Sequence, residues 1–95
     1  MPEMRFSIRW PDGTPEHCYS PSLVIKDFFA PGETYPLDDF VARSRTALNI
    51  ASERVKAKYG FVCTSAMDQL GRIETAAKAF ADLPDPRVSV DAFDE

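Results

Sequence analysis

The sequence predicts an α+β domain: a small antiparallel sheet packed against two antiparallel helices and one short helix. Three observations predict it. Met4 to Trp10 alternates apolar and polar residues and runs into a Pro-Asp-Gly turn, as the first strand of a hairpin does. Leu37 to Gly60 is long and periodic at helical spacing. A second helical pattern follows from Thr64 to about Asp82, after so short a connector that the two helices must pack antiparallel.

In Trp10-Pro11-Asp12-Gly13-Thr14, Pro11 presets φ and Gly13 supplies a left-handed residue, so the chain returns as a strand over Pro15 to Tyr19. Placing Trp10 opposite Thr14 sets Ile8 against Glu16, Phe6 against Cys18 and Met4 against Ser20, one shared face. Arg5, Ser7, Arg9, His17 and Tyr19 take the other. Ser20-Pro21-Ser22 reads as a helix start, with Ser20 as N-cap and Pro21 at the first helical position. Leu23 to Phe29 is then a short helix, or a strand, since Val24 and Ile25 are β-branched. Glu33 to Pro36 reads as a loop.

The main helix buries Leu37, Phe40, Val41, Ser44, Ala47, Leu48, Ala51, Val55 and Tyr59. Asp38 and Asp39 suit its positive N-terminal end, Lys56 and Lys58 its negative C-terminal end, and Gly60 its left-handed stop. Tyr35 is placed to staple onto Phe40. Ile50 falls off the buried face. The next helix, capped by Thr64 or Ser65 with Asp68 in its first turn, buries Met67, Leu70, Ile73, Ala77 and Phe80. Residues 87 to 93 alternate again, with Val88, Val90, Ala92 and Phe93 apolar. They form a third strand on the hairpin edge or a frayed tail, so 84–95 closes a single domain spanning 1–95.

Hydrophobic residues make up 44% and aromatics 12% of the chain, which is enough for a packed core. The net charge of −4 argues against nucleic acid as a partner, because phosphate binding needs a basic surface. No apolar run approaches the ~20 residues of a membrane span. The start MPEMRFSIRW carries charges where a secretory leader would be apolar. The expectation is a cytoplasmic protein with reduced Cys18 and Cys63; a disulfide between them is the alternative.

No cluster of residues demands a reaction, a cofactor or a metal. Cys18 beside His17 is the first suspect for nucleophilic chemistry, but neighbours on a strand point to opposite faces, and a core cysteine is the competing reading. Two cysteines and one histidine lack zinc-ligand spacing. Glu16 is either a perturbed acid or a rim carboxylate in solvent. The cations Arg43, Arg45, Arg54, Lys56, Lys58 and Arg72 make an anion groove or a solvated helix face. The hairpin end and the turn after it crowd Trp10, Asp12, Glu16, His17, Cys18, Tyr19 and Ser20 together, and these seven are the candidate ligand- or partner-binding residues.

Several stretches read together carry a resemblance. They are Arg9 to Gly13, Cys18 to Ser22, Pro31-Gly32 with Tyr35, Asp39 to Arg45, Ala51 to Val55, Lys58 to Phe61, and Asp68-Gln69-Leu70 leading to Ile73-Glu74. The chain resembles a family of short bacterial proteins named for the nitrogen-starvation response. The resemblance covers about residues 5 to 75 and leaves the tail after Leu83 outside. It implies a gene cluster with a nitrilase-like enzyme, a radical SAM protein, an acetyltransferase, a synthetase-like protein and a flavoprotein, linked to nitrogen scavenging and cyanide assimilation. It implies no reaction. The reading is therefore an accessory protein that binds an enzyme encoded in that cluster or a small nitrogenous ligand. The alternatives are an enzyme or ligand carrier using Cys18, and a structural protein that forms a homodimer through the face around Ile50.

Overall fold

A computed structural model describes residues 3–60 and 64–95; the connector Phe61-Val62-Cys63 lies outside them. Strands β1 (Met4–Arg9) and β2 (Pro15–Ser20) form the hairpin in the register that the turn predicts, with Met4 opposite Ser20, Phe6 opposite Cys18 and Ile8 opposite Glu16. The turn closes through the Trp10 amide, which donates to Thr14 O at 2.9 Å, and the Gly13 amide, which donates to Trp10 O at 2.8 Å. Met4, Phe6, Ile8 and Cys18 face the core.

Ser20 does not cap a helix. Its hydroxyl donates to Ser22 O at 2.7 Å and accepts from the Ser22 amide, which makes a buried serine turn. Helix α1 is shorter than expected, Ile25–Phe28, and its N-cap Val24 offers no side-chain acceptor. Ser22 Oγ takes the Val24 amide instead and also accepts from Arg54 Nη1 at 3.0 Å, tying this turn to the main helix.

That helix, α2, runs Leu37–Tyr59 and ends at Gly60 in the left-handed region, φ 82°. Its inner face buries Leu37, Phe40, Ser44, Ala47, Leu48, Ala51, Ser52 and Val55. Tyr59, expected on the buried face, is half exposed. Tyr35 stacks edge-on against Phe29 at 5.2 Å rather than directly on Phe40; Phe29 bridges them. Ile50 is half-buried and packs on the core, so it is not an off-core apolar residue. Helix α3 (Thr64–Lys78) starts at Thr64, so Asp68 falls beyond its first turn. The Arg45–Glu74 ion pair at 2.7 Å joins the first half of α2 to the end of α3, as antiparallel packing requires.

The last strand, β4 (Arg87–Asp94), is not on an edge. The sheet order is β2-β1-β4-β3, where β3 is Thr34–Pro36, three residues expected to be loop. β4 therefore lies inside the sheet, paired with β1 and with β3. Its alternation is broken by a bulge: Ser7 pairs with Ala92 but Ile8 with Val90, which leaves Asp91 over. The extra residue reverses the phase. Ala92 turns to solvent and Phe93 replaces it opposite Phe6.

Both sheet edges carry proline at an outward position. Because Trp10 and Thr14 form a hydrogen-bonded pair, the alternation places the backbone groups of Pro15, His17 and Tyr19 outward on β2. Pro15 has no N–H, and the Tyr19 N–H is taken by Gln69 Oε1 of α3 at 3.0 Å. On β3 the bonds Val90 N to Glu33 O and Leu37 N to Pro86 O leave Thr34 and Pro36 outward.

Candidate functional site

The seven candidate residues divide between the core and the surface. Trp10 is a core residue, 4% exposed. Its indole stacks on Phe80 at 5.7 Å and meets Phe40 edge-on at 5.8 Å, a burial that alternation on β1 requires. Cys18 and Ser20 are buried as well. None of these three side chains is open to a partner. Asp12 is exposed, but its Oδ1 accepts the Thr14 amide at 2.9 Å and serves the turn. Glu16, His17 and Tyr19 remain.

Glu16 is neither free in solvent nor idle. Oε1 accepts the Trp10 indole N–H at 3.0 Å, and Oε2 lies 3.9 Å from the Cys18 sulfur. Burial, and after it the negative charge of Glu16, push the Cys18 thiol well above its ordinary pKa. The thiolate that nucleophilic chemistry needs is thus disfavoured twice, once by its surroundings and once by its partner. His17 points to the opposite face, where Nδ1 lies 3.0 Å from Ser7 Oγ. Tyr19 lies under the Arg5 guanidinium at 5.7 Å.

Glu16 and His17 form one wall of an open groove of about 760 Å³ between β2 and α3. The other wall is Met67, Asp68, Gly71, Arg72, Thr75 and Ala76. Asp68, Gly71, Arg72 and Thr75 are spaced i, i+3, i+4, i+7, a polar stripe beside the buried stripe Leu70, Ile73 and Ala77. That spacing was available in the sequence as a sign of a second face. Gly71 sits mid-helix, and a Cβ built there would meet nothing within 4 Å. Packing therefore does not demand glycine, although glycine weakens a helix by roughly 0.5–1 kcal/mol relative to alanine. The groove is deepest in chemistry there: bare backbone between Asp68 and Arg72.

Three of the six helix cations are held by oxygen acceptors. Arg43 bonds Asp39 and Phe28 O, Arg45 bonds Glu74, and Arg54 bonds Ser22. A continuous anion groove along α2 is not formed by these three. Among the described residues, no three His, Cys, Asp or Glu side chains converge as metal ligands would, and no helix is long and apolar enough to cross a membrane.

A family model described as nitrogen starvation-induced protein NitG matches residues 5–93. The chain belongs to that family. The match runs through β4, further than the resemblance read from residues 5 to 75, in keeping with the position of β4 between β1 and β3. No curated protein and no solved structure matches the chain.

Proposed function

We propose that this protein is a cytoplasmic accessory factor of the nitrogen-starvation response. In this reading it binds a partner enzyme, one encoded in the same nitrogen-scavenging gene cluster, through the groove between β2 and α3. Gly71 carries the proposal. The fold gains nothing from it, so the helix stability it costs is offset by close approach of something outside the fold. His17, Glu16, Asp68 and Arg72 around it offer both signs of charge, which sets orientation more than raw affinity. An open groove of this kind fits a protein surface better than an enclosed small molecule.

The test separates fold from function. Gly71→Ala raises stability by about 0.5–1 kcal/mol in urea denaturation, because it restores helix propensity without a clash. The same substitution weakens recovery of the cluster enzyme in an affinity pull-down from nitrogen-starved cells, and Gly71→Glu abolishes it. Undiminished recovery with Gly71→Glu would place the interface elsewhere.

A further inference from the structure

A second cleft lies at the other end of α3 and has different chemistry. It holds about 680 Å³, within the roughly 300–1,000 Å³ of small-molecule sites. Leu37, Val41, Ala77 and Pro86 line it with apolar surface. Five charged side chains stand on its walls: Arg45 and Glu74 pair with each other, and Asp85 pairs with Arg87 at 3.1 Å, which leaves two of opposite sign, Asp38 in the first turn of α2 and Lys78 in the last turn of α3.

Neither charge has an ion-pair partner among the described residues. Glu74 is at the ideal i, i+4 distance for Lys78, but it is engaged across the helix pair by Arg45 at 2.7 and 3.1 Å. Arg43, the next cation along α2 in sequence, is taken by Asp39 at 2.9 Å, and Arg45, which lines the cleft, by Glu74. Among the described residues, Asp38 accepts only the Asp39 amide. Two of the first amides of α2 are already bonded, Leu37 N to Pro86 O and Asp39 N to Asp38 Oδ1, each at 2.9 Å. What remains is an apolar floor with an unpaired carboxylate on one wall and an unpaired ammonium on the other.

We propose that this cleft binds a dipeptide-sized zwitterion with apolar side chains, its amine toward Asp38 and its carboxylate toward Lys78. The apolar body covers Val41, Ala81 and Pro86. The volume of the cleft leaves room for a body larger than a single amino acid.

Leucyl-leucine and its N-acetyl amide, which has the same body without the charges, are titrated into the full chain while ¹H–¹⁵N shifts are recorded. Leucyl-leucine is expected to move the amides around Leu37–Val41 and Ala77–Ala81. Its affinity falls by about tenfold or more in Lys78→Ala and in Asp38→Asn, and the uncharged analogue binds no better than those variants. Both positions are exposed, so both variants keep the fold, which circular dichroism checks. No shift at concentrations up to roughly 10 mM overturns the proposal. So does binding that survives both substitutions or is matched by the uncharged analogue.

Discussion

The indole N–H of Trp10 donates to Glu16 Oε1 at 3.0 Å across the end of the hairpin. One bond thus ties a core aromatic to a half-buried carboxylate, and the same carboxylate reaches toward the Cys18 sulfur. Trp10→Ala should cost about 3–5 kcal/mol, because it empties the space between Phe40 and Phe80. Trp10→Phe keeps a ring there but removes the donor to a charged group, worth about 1.5 kcal/mol. Urea midpoints decide it: a cost below ~1 kcal/mol for the alanine variant is incompatible with a buried indole.

Cys18 titrates above its ordinary range in the folded chain, by burial first and Glu16 second. The unfolded chain therefore loses its thiol proton first. The stability this contributes is fully present below the unfolded thiol pKa of ~8.5 and is lost as pH rises beyond it, by about 1.4 kcal/mol per pH unit. Cys18→Ala should remove that part of the alkaline decline. In a Cys63→Ser background, iodoacetamide should modify Cys18 only as fast as the chain opens, so rate and denaturant rise together. Labelling at the speed of a free thiol would contradict the burial.

Asp12 behaves in the opposite sense. The Thr14 amide, and after it the Thr14 hydroxyl, hold its carboxyl below the usual value. Its contribution is present above the unfolded aspartate pKa of ~3.9 and fades as pH falls through the folded one. An NMR titration of the Asp12 carboxyl carbon reads this directly. Asp12→Ala should loosen the turn at neutral pH, seen as faster exchange of the Thr14 amide.

Gly60 ends α2 at φ 82°, ψ 6°, with its amide bonded to Lys56 O at 2.8 Å. A Cβ there strains the backbone, so Gly60→Ala should destabilise by about 1 kcal/mol, and Gly60→Asn by less. Thermal melts of the two variants give the order. Gly71→Ala, with no such φ, should move the other way.

Local chemistry was legible wherever a residue acts through its own neighbours. The Pro11-Asp12-Gly13 turn set the hairpin register, and Asp38, Lys56 and Gly60 marked the ends of α2. Order within the sheet was not legible. Alternation in Val88 to Phe93 says that a strand exists but not which strands flank it, and a bulge at Asp91 leaves no local trace. The site was harder still. Crowding of Trp10, Cys18 and Ser20 with polar neighbours looked like a binding surface, yet the period of a strand puts those three on the core face. Ser20 was misplaced as a cap because a serine turn and an N-cap use the same side chain on the same kind of loop. Gly71 drew no notice, since only the empty space around it makes it informative.

The outward prolines, Pro15 on β2 and Pro36 on β3, together with Gln69 over the Tyr19 amide, have a wider consequence. A fifth strand laid along either border would find too few donors to hold it. Recognition by β-augmentation is disfavoured at both borders. The helix faces, rather than the sheet borders, are then where a partner finds purchase.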